Sequence, residues 1–249
     1  MAEQQFPADM LAIFKPLDRW GPGSDTDTLE ALRHVPYEPK TILDIGCGKG
    51  FSTSVLAAYT TAHITAVDSE SSALDEMMRR IATQENCRAA SLTPLCADME
   101  ALPLENSAFD LIWSESAAYN MGVENALREW KKLLRPDGIL VFSDLVWFSH
   151  TPSKDASRFW EKQYPDLSNI ATRLQQIKEH GYELVHHFAL SQKAWDDYYL
   201  PLKQRIAVLQ NDFANTALLD ALAEEIDIYE RYFGEFGYQL FVVRAQCHN

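Results

Sequence analysis

Cysteine is scarce: the four in 249 residues (Cys47, Cys87, Cys96 and Cys247) are widely spaced with no CxxC pair. Neither a disulfide framework nor a cysteine-rich zinc site is expected, and the compartment implied is reducing cytoplasm. No apolar run approaches the roughly 18 to 20 residues that a membrane-spanning helix needs. The first residues are acidic rather than basic ahead of their apolar stretch, so neither an anchor nor a signal peptide is expected. Basic residues are also few: 22 Lys and Arg against 36 Asp and Glu give a formal charge of −14 with histidine neutral. That balance argues against broad adhesion to nucleic acid or an anionic membrane, both of which need a basic face. Repeats and low-complexity tracts are absent. What remains is 47% hydrophobic and 11% aromatic, enough for one large core with a small appended cap.

Short β-rich runs occur at 41–45, 63–67, 91–96, 109–113 and 138–144, and amphipathic stretches at 51–59, 72–82 and 123–134 lie between them. Strand, helix, strand in series means a parallel sheet with right-handed crossovers. Arg135-Pro136-Asp137-Gly138 reads as a turn feeding the fifth strand. Further on come a helical, aromatic-rich stretch at 153–178, a strand at 182–190, a long helical region at 192–233 and a last strand at 238–245. The region between those two strands is too long for a hairpin and too periodic for a structureless loop, so it reads as an inserted helical cap. The fold class expected is α/β, a doubly wound, Rossmann-like, mostly parallel sheet of seven strands. It divides into an N-terminal helical or lid segment (1–35), a ligand-binding core (36–150) and the remaining sheet with the cap at about 192–235 (151–249).

The chemistry begins at Ile42-Leu43-Asp44-Ile45-Gly46-Cys47-Gly48-Lys49-Gly50, an apolar strand running into closely spaced glycines and then a helix. Glycines let the backbone bend sharply and approach a ligand without Cβ clashes, and the helix that follows points its N-terminal amides at the site. The spacing is GxGxG rather than GxGxxG. Asp44, two residues before the first glycine, suits a cationic group such as an α-ammonium, reached directly or through water, better than a pyrophosphate. Lys49 is followed by Gly50 and Phe51 rather than Ser or Thr, so the Walker phosphate loop is absent. Asp68 ends the second strand, 22 residues beyond Gly46, where an acid can accept both ribose hydroxyls. Asp98, in Cys96-Ala97-Asp98-Met99, stands where an adenine amino group could donate to it, or else serves a turn.

Together these residues, with Leu102-Pro103-Leu104, Phe109-Asp110-Leu111-Ile112 and Leu134-Arg135-Pro136-Asp137-Gly138, resemble the class I S-adenosylmethionine-dependent methyltransferases. The branch is the small-molecule one related to ubiquinone and menaquinone methyltransferases. The likeness covers about the first three fifths of the chain. Gly21-Pro22-Gly23-Ser24 and the run from Trp113 to Asn120 are similar to a bacterial subgroup of that branch. The resemblance implies a last strand that runs in reverse, with S-adenosylmethionine as methyl donor and S-adenosylhomocysteine as product. It implies that Asp44 and the backbone of Gly46, Cys47, Gly48 and Gly50 hold the methionine part. Asp68 and Ser69 would serve the ribose, Asp98 and the Met99 amide would read adenine, and Gly23 and Ser24 would close over the cofactor carboxylate. Glu115 falls where related enzymes place a residue facing cofactor or substrate.

Such a site must align a nucleophile with the methyl carbon and exclude water, and needs a base only if the nucleophile carries a proton. Glu115 and Tyr119 are the candidates for orienting the acceptor, with Asn120, Asp144 and His150 also near the expected mouth. Aromatics after Tyr119, including Trp147, Trp160, Trp195, Tyr198 and Tyr199, either wall a pocket for a flat or cationic acceptor or form the core of the cap. His186 and His187 point to opposite faces of a strand and cannot share a metal, so no metal is expected. The acidic stretch Asp220, Glu224, Glu225, Asp227 and Glu230 is expected to face water while Leu218, Leu219, Leu222, Ile226 and Tyr229 pack. The partners expected are a small-molecule acceptor, with no nucleic acid and no membrane, and a homodimer left open. Alternatives are methylation of a protein or peptide, or a non-catalytic protein that binds S-adenosylmethionine or S-adenosylhomocysteine.

Overall fold

A computed structural model describes residues 7–246. Two helices, α1 (Ala8–Phe14) and α2 (Asp25–Arg33), precede the sheet. The apolar runs then form β1 (Thr41–Ile45), β2 (His63–Asp68), β3 (Ser91–Cys96), β4 (Phe109–Ser114) and β5 (Leu134–Trp147). The chain passes between them through α3 (Phe51–Tyr59), α4 (Ser71–Ala82) and α5 (Val123–Leu133). After β5 come α6 (Lys154–Gln163), the two-residue β6 (Ser168–Asn169), α7 (Ile170–Glu179), β7 (Tyr182–Ala189), α8 (Gln192–Leu209), α9 (Thr216–Tyr232) and β8 (Phe236–Ala245). Seven strands among the described residues lie in the order β3-β2-β1-β4-β5-β8-β7, and β6 pairs with the end of β5 off that line. β8 is antiparallel to both of its neighbours, whereas the pairs among β1 to β5 are parallel. The chain winds outward from β1 to β3 and returns on the other side at β4. The crevice beyond the strand ends at that reversal is where such sheets take ligands.

Parallel strands covered on both faces must be apolar almost throughout, and β1 and β4 are. Leu43, Ile45 and Ile112 pack on one face with Leu127 and Trp130 of α5. Ile42, Leu111 and Trp113 pack on the other with Leu56 and Ala57 of α3. The same alternation puts Asp44 on the face of Ile42, toward α3, and there Thr53 Oγ1 donates to its Oδ2 at 2.6 Å.

Three local expectations change. Arg135-Pro136-Asp137-Gly138 is a bulge inside β5 rather than a turn ahead of it: pairing with β4 steps from Phe109 opposite Leu134 to Leu111 opposite Ile139, and Asp137 takes a φ of 60°. The 153–178 stretch is α6 and α7 with β6 between, and 192–233 is two helices broken at 210–215. The cap is also larger than 192–235. Its core joins Ile13, Phe14 and Leu17 from the N-terminal segment and Phe159 and Trp160 from α6 to Trp195, Leu202, Leu219 and Leu222 of α8 and α9. Among the described residues no helix is long and apolar enough to cross a membrane, and no cluster of potential metal ligands forms. Cys47, Cys87 and Cys96 form no disulfide, while Cys247 and the first six residues of the acidic start lie outside the described residues.

Candidate active site

The turn after β1 is tied to the end of β2. The amides of Gly46 and Cys47 donate to the Val67 carbonyl at 2.9 and 3.0 Å, and the Gly48 amide donates to Asp68 Oδ2 at 2.8 Å. Gly46 and Gly48 hold φ at 71° and 51°, in the left-handed region where a side chain is strained. A Cβ on Gly46 would come within 2.4 Å of Ala117, so the turn is pressed against the loop after β4. At Gly48 the same atom would meet nothing within 4 Å, which leaves bare backbone facing open space. The space belongs to a cavity of about 750 Å³.

That cavity brings most of the expected residues together. Gly46, Cys47, Gly48, Asp68, Ser69, Asp98, Met99, Glu115, Tyr119 and Asn120 all line it. Asp68 is held by two backbone donors, Gly48 at Oδ2 and Glu70 at Oδ1 (2.9 Å), so the carboxylate is fixed with lone pairs to spare. Asp98 accepts from the Glu100 amide at 2.9 Å, serving its turn and the cavity wall at once. Glu115 Oε1 accepts from Thr28 Oγ1 at 2.7 Å and from Trp113 Nε1 at 2.8 Å. Its Oε2 is buried with no hydrogen-bond partner.

Four expected residues stand elsewhere. Asp44 is buried behind the wall with its carboxylate committed to Thr53, because the strand alternation turns it toward α3. Ser24 is fully buried as the N-cap of α2, accepting from the Asp27 amide at 3.1 Å and donating to Asp27 Oδ2 at 2.7 Å. Gly23 makes room instead of contact, since a Cβ there would lie 3.0 Å from both Arg19 and Glu115 Oε2. Gly50 packs on α4, where a Cβ would reach 2.1 Å from Met77. Of the other mouth candidates, Asp144 is fully buried between Arg173 Nε (2.7 Å) and Tyr164 Oη (2.8 Å), and His150 is exposed and off the cavity. Trp147 packs edge-on against Phe236 and is likewise off the cavity, whereas Trp160 lines it.

Electrostatics sharpen the picture. Burial pushes Asp44 up to about 7, with the charges of Glu115 and Asp68 adding to the effect, and burial also raises Asp68 and Glu115. Two carboxyls, Asp68 and Glu115, thus stand on the cavity wall with Asp44 buried behind them, an environment that suits a cationic ligand. The basic residue among them, unforeseen from sequence, is Arg19. Its guanidinium lies 4.5 Å from the Phe51 ring centroid, bonds Asp25 at 2.7 Å and offsets part of the rise that burial imposes on Glu115. Lys49 is occupied by Glu76 and by the Lys15 carbonyl, at 2.7 and 2.6 Å, and so pins the N-terminal segment over the turn.

Also missed was Glu225, which was expected to face water and instead lines the cavity with Tyr198, Tyr199 and Tyr238. The signal was there: Leu222, Glu225, Ile226 and Tyr229 fall at i, i+3, i+4 and i+7, a carboxylate set into the apolar stripe of α9.

Residues 43–142 match the family described as methyltransferase domain. The malonyl-[acyl-carrier protein] O-methyltransferase of Methylovorus sp. (strain MP688) is 33% identical over 120 residues, 47% of this chain and 40% of that protein. Its counterpart from Methylococcus capsulatus is 30% identical over 164 residues, 63% of this chain and 57% of that protein. The chain thus spans about half the length of these curated relatives. Among solved structures, a SAM-dependent methyltransferase from Geobacter sulfurreducens in complex with S-adenosyl-L-homocysteine is similar with a TM-score of 0.81. It is 18% identical, over 97% of this chain and 99% of that one, so the likeness is one of fold.

Proposed function

We propose, because residues 43–142 match the methyltransferase-domain family, that the chain is a class I S-adenosylmethionine-dependent methyltransferase that transfers a methyl group to a small-molecule acceptor held under the helical cap. The observation that carries this reading is the convergence of the Gly46–Gly48 backbone, Asp68, Asp98 and Glu115 on one cavity that the cap completes. The orphaned Glu115 Oε2 and the open face of Gly48 fit the methionine end of the cofactor.

S-adenosylmethionine supplies a sulfonium-activated methyl group, whose bond to sulfur breaks as the acceptor's lone pair bonds the carbon, leaving S-adenosylhomocysteine. Asp68, fixed by its two amides and flanked by Ser69, holds the ribose hydroxyls. Asp98 and the Met99 amide read adenine. Glu115 Oε2 takes the α-ammonium and Arg19 the carboxylate, so Glu115 serves the cofactor and Tyr119 remains the candidate for orienting the acceptor. Trp160 and Tyr164, which line the cavity from the cap side, exclude water. A base is needed only for an acceptor that arrives protonated.

The division into a lid (1–35), a cofactor core (36–150) and a cap-bearing remainder (151–249) is part of this proposal, as is a cytoplasmic setting, which suits three cysteines outside any disulfide. Transfer of labelled methyl from S-adenosylmethionine into a small-metabolite extract, run beside peptide and RNA pools, tests the reading. Label in the small molecules is expected; label in peptide or RNA alone would overturn it.

A further inference from the structure

The cap's share of the cavity wall is aromatic, with a single carboxylate set into it. Glu225 of α9 is partly accessible and lines the cavity, and its Oε1 accepts from Tyr199 Oη at 2.9 Å. Tyr119, Tyr198 and Tyr238 lie within electrostatic reach of it. Tyr198 and Tyr199 pack with ring centroids 4.9 Å apart, and Trp195 stacks on Tyr199 at 5.5 Å, so the rings are held in place. Among the described residues no Lys, Arg or His pairs with Glu225, whereas Lys203 and Arg231 nearby in the cap pair with Glu230 and Asp227. Burial raises the Glu225 carboxyl above its ordinary range, which a cation beside it would reverse.

A carboxylate sunk among aromatic rings without a counter-charge is costly to maintain. If it only tied α9 to α8 through Tyr199, a neutral glutamine would serve as well. Ring faces attract cations by their quadrupoles, and a desolvated carboxylate attracts them by charge. Both features select the same ligand group. Resting on the methyltransferase reading above, we propose that the acceptor carries a cationic nitrogen, as an amine or a quaternary ammonium, and that Glu225 with Tyr119, Tyr198, Tyr199 and Tyr238 forms the box that holds it.

The test is calorimetric titration of the full chain, loaded with S-adenosylhomocysteine, with tetramethylammonium, choline and 3,3-dimethyl-1-butanol, the neutral isostere of choline. Choline should bind at least about tenfold more tightly than the isostere, the scale of one desolvated cation–π contact. Glu225→Gln, which retains the size of the side chain and an acceptor for Tyr199, should cut that preference at least about threefold, leaving what the rings alone supply, with affinity for S-adenosylhomocysteine unchanged. Equal binding of choline and isostere, a preference undiminished in Glu225→Gln, or no binding of any of the three would overturn the proposal. Failure of S-adenosylhomocysteine to bind the wild-type chain would instead strike the methyltransferase reading. The same titrations on the unloaded chain would then decide the cation box by itself.

Discussion

Asp68 sits at the tip of β2 with one backbone amide on each oxygen, an arrangement that leaves it rigid and still able to accept. Replacing it by alanine should weaken S-adenosylhomocysteine binding by about 1.5–3 kcal/mol, the worth of a charged hydrogen bond, with turnover falling in parallel. Calorimetry on Asp68→Ala checks it. Asp44 makes a different prediction because it is buried behind the wall. Its carboxyl ordinarily titrates near 3.8 and is pushed up to about 7 in the folded chain. The folded state therefore keeps a proton that the unfolded state has lost between those values. The contribution to stability is fully present at low pH and is lost as pH rises through that window. Melting curves of Asp44→Asn against wild type should show a flatter fall between pH 5 and 7 in the variant. Identical slopes would mean that Asp44 is ionised throughout.

At the scale of elements, two buried polar ties position the site. Asp27 accepts from Ser24 at the start of α2 and, at 2.7 Å, from Ser191 Oγ at the start of α8, so one carboxylate joins the lid helix to the cap. Asp27→Ala should destabilise the fold by about 1–3 kcal/mol, the cost of leaving buried donors unpaired, read by denaturant melts. Arg173 of α7 is fully buried against Asp144 of β5, whose carboxyl burial lifts to about 6 even beside the guanidinium. Arg173→Leu strands that carboxyl and should cost about 3–5 kcal/mol. Adding Asp144→Asn should recover part of the loss, and no recovery would show that packing, not charge, dominates there. The strands of the sheet were legible in sequence because parallel strands covered on both faces are largely apolar, as 41–45 and 109–113 are apart from Asp44 and Asp110. The bulge at 135–138 was not, since Pro-Asp-Gly signals a bend equally well at the end of a strand or within it. The break in the cap at 210–215 did leave a signal that the long helical reading passed over, since Asn211-Asp212 are turn formers and Asn215 caps α9 by accepting from the Leu218 amide.

Across the whole molecule, the residues proposed to hold the cofactor follow consecutive strands, so their order along the chain foretold their meeting at one cavity. Asp44 misled for the reason that makes β-strands readable: its parity places it on a face, and that face belongs to α3. Arg19 and Glu225 come from the N-terminal segment and the cap, 206 residues apart in the chain and brought to one cavity only by tertiary packing, and no local spacing relates them. The charge of −14 and the Asp68 and Glu115 carboxyls on the cavity wall, with Asp44 buried behind them, favour a positively charged ligand and oppose a pyrophosphate. With Lys49 already paired to Glu76, the turn has no free cation of its own to offer a phosphate. The most direct measurement is a calorimetric titration of the purified chain with S-adenosylhomocysteine and, separately, with NADH. The account expects single-site binding of S-adenosylhomocysteine in the micromolar range and no heat from NADH; binding of NADH with none of S-adenosylhomocysteine would contradict it.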